Sequence, residues 1–289
     1  MACSFVFKKH FVLCIFIFLI FFMKGKGDSP KNNNKHFVLV HGVNHGAWIW
    51  YKVKTLLQAA NHRVTVLDLA ASGINLTRIE DLRTLRDYSE PLIHFMASLD
   101  DDDQKVILVG HSYGGLNIAL AMEMFPQKVK MAIFLSAIMP DTTNIASFTL
   151  DKFLESLDEN FFLDSKFVSS GDPNNNDTIL VLGPKFLAKT YNLSPREDLE
   201  LAMTLIRPAK FFLDDLRKPE KKFTEERYGS IPRAYIITSQ DQLISKDFQK
   251  WIINNYKVEV VKELKKADHY SMFSVPKQLS NTLLEIAHK

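Results

Sequence analysis

One short stretch constrains this 289-residue chain more than any other. An apolar run at 105–109 passes directly into Gly110-His111-Ser112-Tyr113-Gly114-Gly115, and a helical period follows over 116–125. A strand that enters a helix through a single Gly-x-Ser-x-Gly turn holds its central serine in a sharp, strained conformation. The flanking glycines let the two elements approach. Such a unit requires a sheet with a helix packed back upon it, and it leaves Ser112 at the rim.

The rest of the chain repeats the same strand and helix alternation. Short, nearly continuous apolar runs at 36–40, 63–69, 130–135, 233–238 and 258–261 read as strands buried on both faces. Helical periods lie between and after them at 47–60, 79–99 with a kink at Pro91, 245–256 and 275–287. Alternation of this kind predicts an α/β fold, a mostly parallel sheet flanked by helices, with its ligand site beyond the carboxyl ends of the strands. One interval, 140–231, breaks the rhythm. Its helix-like pieces and its turn-forming stretch at 172–177 predict a mainly helical cap inserted into a single domain over 36–289.

The amino terminus has a different character. Lys8, Lys9 and His10 precede thirteen apolar residues at 11–23, within the ~7–15 of a signal-peptide core and short of the ~20 needed to cross a bilayer. Residues 1–27 are expected to be a signal peptide cleaved before Asp28, leaving no membrane span, with a retained anchor or a non-functional extension as the alternatives. Polar residues 28–35 form a linker into the body. The leader also carries four lysines and no acid, so 32 of the 36 basic residues remain in the body against 33 acidic ones, a net charge of −1 where the whole chain has +3. That balance gives no electrostatic case for nucleic acid. Both cysteines, Cys3 and Cys14, lie in the leader, so the body offers no disulfide, thiolate nucleophile or cysteine-based metal site. Sequons at Asn75, Asn176 and Asn192 become glycosylation sites only on the secretory route.

A serine hydroxyl attacks a carbonyl only when an imidazole takes its proton and a carboxylate fixes that imidazole. The expected order along the chain is serine, acid, histidine. Of nine histidines, His41, His45, His111 and His269 follow strands, and His111 adjoins the serine too closely to turn back on it. His269 is therefore the expected base. Asp241, after the strand at 233–238, is the expected acid, because Asp268 is bonded to His269 and poorly placed to grip its ring; its bland alternative is a turn or capping role before Ser245. Backbone amides of Tyr113, after the serine, and of Val43, in the His41-Gly42-Val43-Asn44 loop, are the expected oxyanion donors.

From about residue 36 to 288 the chain resembles the plant methylesterase family of α/β-hydrolases, related to polyneuridine aldehyde esterase, methyl salicylate esterases and hydroxynitrile lyases. The segments carrying the resemblance are 36–42, 67–73, Gly110 to Gly115, 183–187 and Ala267-Asp268-His269. The resemblance implies hydrolysis of methyl esters of small acids, of the methyl jasmonate, methyl indole-3-acetate or methyl salicylate type, with no cofactor and no metal. It matches Ser112, Asp241 and His269 to the family triad and Val43 and Tyr113 to its oxyanion donors, and by analogy puts Phe161 and Phe162 in an apolar substrate pocket. The lyase branch uses a threonine and a lysine where this chain has Gly42 and Tyr270, which argues against cyanohydrin cleavage. A slow or silent hydrolase that binds a small acid as a sensor is the other reading. Members of the family usually begin near the first strand and look cytoplasmic, so the leader bears on compartment, secretory or extracellular against cytoplasmic.

Overall fold

The computed structural model describes residues 34–100, 104–170 and 178–289. The leader, most of the linker and the sequon asparagine at 176 lie outside the described residues. Six of the apolar runs form one sheet: β1 His36–Val40, β2 Arg63–Leu67, β3 Val106–His111, β4 Val129–Leu135, β7 Arg233–Thr238 and β8 Val260–Leu264. They pair in the order β2-β1-β3-β4-β7-β8, every pair parallel.

Continuous apolar runs are required because successive residues of each central strand enter different cores. Val38, Val40, Leu108, Phe134 and Tyr235 join one, with helices Glu90–Ser98, Gly114–Met124 and Lys246–Asn255. Phe37, Leu39, Val109, Ile133 and Ile236 join the other, with Tyr51–Ala59 and Pro276–Ala287. The edge strands β2 and β8 are only partly covered, and there the apolar run gives way to Arg63, Thr65, Lys262 and Glu263.

The chain leaves β1 for β2 on one side and returns to β3 on the other, so the strand order reverses between β1 and β3. Open parallel sheets take their ligands at such a reversal. Register makes this concrete: Val40 pairs with Gly110, so Gly42 and Ser112, each two residues further on, emerge side by side.

Three elements differ from the sequence expectation. Residues 79–99 are not one kinked helix but three pieces, Ile79–Asp81, Leu85–Tyr88 and Glu90–Ser98; Pro91 sits in the first turn of the last, where its missing N–H costs nothing. The middle piece has its own start, with Thr84 and Asp87 forming a capping box. Residues 47–60 open as a 3₁₀ turn, Ala47–Trp50, before the α-helix Tyr51–Ala59. Within 140–231, four helices among the described residues, Phe148–Glu155, Pro184–Thr190, Arg196–Leu205 and Leu213–Leu216, are joined by an antiparallel hairpin, β5 Lys166–Ser169 with β6 Thr178–Val181. All four residues of β5 are exposed, so no buried stripe marks it in the sequence.

Candidate active site

Ser112 follows the last residue of β3 with φ at +56°, in the left-handed region that an L-residue enters at a cost of order 1–3 kcal/mol. The turn is held from below: the Ser112 carbonyl accepts from Gly115 N–H at 3.1 Å and Ile138 N–H at 3.0 Å. Glycine is required around it because backbones touch. A Cβ on Gly110 would lie 2.7 Å from the Gly114 carbonyl, and one on Gly114 2.6 Å from that of His41. The strain is thus fixed by contact on both sides, and the hydroxyl faces the rim.

His269 follows β8 and Asp241 follows β7, and the fold brings them together. His269 Nδ1 donates to Asp241 Oδ2 at 2.8 Å, both groups being buried. Asp241 Oδ2 also accepts from the hydroxyls of Ser136 at 2.5 Å and Thr238 at 2.9 Å; its Oδ1 accepts from Leu243 and Ile244 N–H at 2.7 and 2.9 Å. One carboxylate therefore serves both as turn-holder and as partner of the histidine. Ser245 is the cap of the following helix, accepting from Phe248 N–H. Burial alone would push the Asp241 carboxyl up, but the neighbouring His269 and these donors bring it below its ordinary value. Among the described residues no hydrogen bond joins Ser112 Oγ to His269, a contact that in free hydrolases often closes only around substrate. Asp268 is turned elsewhere: it accepts from Leu193 N–H, Ser194 Oγ and Ser274 Oγ.

Two other post-strand histidines, His41 and His45, have both ring nitrogens committed. His41 donates Nδ1–H to the Gly42 carbonyl at 2.7 Å and accepts from Leu69 N–H at Nε2. His45 gives its Nδ1–H to the Val43 carbonyl and accepts from the Tyr191 hydroxyl, both at 2.9 Å. Burial lowers His41 to about 4 and His45 to about 3, so both are neutral at ordinary pH. These bonds tie down the loop carrying Val43.

Ser112, His269, Val43 and Tyr113 all line one pocket, whose empty space, its mouth included, comes to about 580 Å³. Phe161 and Phe162 line it too, packed edge to face at 5.3 Å between ring centroids. Among the described residues no cluster of three His, Cys, Asp or Glu is disposed to hold a metal ion.

Residues 37–282 match the model of the alpha/beta hydrolase family. The chain belongs to that family. Among its relatives, salicylic acid-binding protein 2 of Nicotiana tabacum is 52% identical over 256 residues, covering 88% of this chain and 98% of that protein. Methylesterase 1 of Arabidopsis thaliana is 48% identical, with 90% and 99% covered. The crystal structure of polyneuridine aldehyde esterase superposes with a TM-score of 0.85 at 47% identity, covering 88% of this chain and 99% of that one.

Within this alpha/beta hydrolase, several pocket residues were not singled out by the sequence. Phe153, Phe186 and Phe211 come from the inserted interval, and Leu243 and Ile244 from the turn that Asp241 holds. An apolar residue on a short helix reads the same whether it packs a core or faces a ligand. The hydroxyls of Ser136 and Thr238 were missed for a similar reason: at a strand end, Ser and Thr are ordinary turn residues. The one signal available was their position, immediately beyond β4 and at the end of β7.

Proposed function

We propose that this chain is a serine carboxylesterase that hydrolyses methyl esters of small carboxylic acids, of the jasmonate, indole-3-acetate or salicylate type. Ser112 is the nucleophile, His269 the general base and Asp241 the residue that fixes its tautomer. The observation that carries this reading is the 2.8 Å bond from His269 Nδ1 to Asp241 Oδ2 at the wall of the pocket that Ser112 lines. Relatives named as methylesterases and as an esterase support the ester class.

With Nδ1–H given to Asp241, His269 Nε2 carries the lone pair. It takes the Ser112 proton as Oγ attacks the ester carbonyl. The N–H groups of Val43 and Tyr113 receive the oxyanion, each donor of this kind being worth ~2.7–4 kcal/mol in rate. Collapse expels methanol, which leaves with the proton from His269, and an acyl-Ser112 remains. Water, deprotonated by the same imidazole, then releases the acid. The sequence of steps needs no cofactor. Phe161 and Phe162 supply apolar contact to the acyl group.

Cyanohydrin cleavage is disfavoured because Gly42 and Tyr270 stand where the lyase branch carries a threonine and a lysine; at Gly42 a Cβ would stand 2.9 Å from the Ser112 Cβ. A threonine there would press on the nucleophile.

The test is a panel of methyl jasmonate, methyl indole-3-acetate and methyl salicylate with wild type and Ser112→Ala. Turnover of at least one ester that the variant lacks is the expected result; equal rates on every ester would sink the proposal. A second reading, capture of a free acid with negligible turnover, is favoured by the name of the tobacco relative. Calorimetry with the free acids, showing tight binding beside absent hydrolysis, would establish it instead. We further propose that residues 1–27 direct secretion: a mature amino terminus at Asp28 is expected, and an intact Met1 on the purified native protein would refute it.

A further inference from the structure

We infer that Ser136 and Thr238 are positioning residues of this site, their hydroxyls holding the Asp241 carboxylate in the one orientation that serves His269. The inference rests on the esterase reading above and adds a tier of residues behind the acid.

Ser136 is the residue after β4. It is fully buried, and its φ of +40° places a non-glycine residue in the left-handed region. Strain of this kind persists only where the surroundings enforce it, and it collects at functional sites. Here two bonds enforce it. The Ser136 N–H donates to the Ile236 carbonyl of β7 at 2.9 Å, and the hydroxyl that the turn swings inward donates to Asp241 Oδ2 at 2.5 Å. An ordinary strand exit at this position would carry the side chain elsewhere.

Thr238 supplies the second hydroxyl, and its direction is set by a third residue. Gln249, fully buried on helix Lys246–Asn255, donates its Nε2–H groups to Ile244 O at 2.7 Å, Thr238 O at 3.1 Å and Thr238 Oγ1 at 3.3 Å, and its Oε1 accepts from Thr238 N–H at 3.0 Å. A hydroxyl that receives a proton from an amide must send its own elsewhere, and Asp241 Oδ2 at 2.9 Å is the acceptor. Oδ2 thus takes three donors, Ser136, Thr238 and His269, while Oδ1 takes the two amides of Leu243 and Ile244. A carboxylate so filled has no lone pair left for a proton of its own. Asp241 stays ionised and unrotated, and His269 can face it only as an Nδ1–H donor. The base nitrogen of His269 is therefore chosen partly by two hydroxyls that touch neither it nor Ser112.

Of the titratable groups around the pair, His45, His111, Tyr235 and Tyr270 are buried and neutral near pH 7, Asp268 beside His269 is held by Leu193, Ser194 and Ser274, and Asp158 and Lys189 border the same space as Asp241. None of them duplicates a donor to Asp241.

Wild type, Ser112→Ala, Ser136→Ala and Ser136→Gly are assayed on p-nitrophenyl acetate, and the Nδ1–H resonance of His269 is followed by proton NMR through a pH titration. Both Ser136 variants are expected to lower kcat ~10-fold with KM within ~2-fold, the scale of losing one bond to a charged group. Both are expected to raise the His269 midpoint by ~0.5 unit or more, because a carboxylate short of a donor holds the imidazolium more tightly. Glycine relieves the left-handed backbone and alanine does not, so equal losses assign the effect to the hydroxyl. Thr238→Val moves both readouts the same way. Wild-type kcat in the Ser136 variants overturns the inference; so does a lower kcat with an unmoved His269 midpoint, which would mark a structural role. If wild type shows no Ser112-dependent turnover, the esterase reading fails, and the NMR midpoint alone then decides whether Ser136 positions the pair.

Discussion

The imidazole of His111 donates its Nε2–H to the main-chain carbonyl of His269 at 2.9 Å, so the residue before the serine holds the backbone of the histidine that would serve it. The rings of the two histidines pack 4.5 Å apart. Burial first, and the adjacent His269 second, keep His111 well below the usual imidazole range, so it acts as a neutral donor. His111→Leu leaves a buried carbonyl without its donor, which is expected to cost about 1–3 kcal/mol of stability. The urea midpoint reads this loss, and kcat should fall more than KM rises. His111→Gln, whose amide can still donate, should recover part of both. A Leu variant with the wild-type midpoint would refute the role.

Acid sensitivity follows from three of the buried histidines, His41, His45 and His111, together. His41 and His45 titrate at about 4 and about 3 in the folded chain, and His111 is lowered as well, against ~6.5 when unfolded. Between those values the unfolded chain binds protons that the folded one refuses. Their contribution is therefore complete above pH ~6.5 and declines as pH falls from there toward 4, by up to ~1.4 kcal/mol per pH unit for each histidine. Urea midpoints at pH 7.5, 6 and 5 should drop steadily. A flat profile down to pH 5 would contradict the assignment.

Gly42→Thr tests the contact between the β1 loop and the nucleophile. The new Cβ would lie 2.9 Å from Ser112 Cβ, 3.3 Å from the His111 carbonyl and 3.4 Å from Ser112 Oγ. Two backbones and the hydroxyl must share the displacement, and misplacement of a reacting atom by ~1 Å can cost ~100-fold in rate. Ester turnover is expected to fall by about that factor while the circular-dichroism spectrum is kept. A threonine variant of near-normal kcat/KM would show that the hydroxyl does not work from this position.

Much of this site can be read from residues alone, and the reason is geometric. The four central parallel strands, buried on both faces, leave continuous apolar runs, while the partly exposed edge strands β2 and β8 keep shorter ones. A ligand site at strand ends then confines the search to a few loops, in which Ser112, Asp241 and His269 stand in order. Pairing across the sheet has no such signature. Nothing local to Ser136 reveals that β4 lies beside β7, so its bond to Asp241 is invisible until the strand order is known. The hairpin of β5 and β6 escapes for the opposite reason, since its first strand buries nothing. Pro91, taken as a kink, instead opens a helix, because a proline pattern alone does not say whether the residues before it belong to the same element.

Acyl-chain preference should turn on Phe161. Its ring is shared between the pocket that Ser112 lines and a second, solvent-open cleft bordered also by Ser156, Asp158 and Lys189; Phe153 and Leu243 complete the common wall. Lys189 Nζ stands 4.2 Å from the centre of the Phe161 ring, so the ring is held from the far side. Phe162 lines only the first pocket of the two and stacks on Phe186 at 5.4 Å. Phe161→Ala therefore opens the wall and joins the two spaces, whereas Phe162→Ala enlarges one of them. In a series of straight-chain methyl esters, the Phe161 variant is expected to shift the kcat/KM ratio of long over short chains by ~10-fold or more, since each methylene that gains a pocket is worth ~1–3 kcal/mol. The Phe162 variant should shift it less. A uniform fall across chain lengths in both variants would mean that these rings only pack the fold, and thermal midpoints measured alongside separate that outcome from a change of pocket shape.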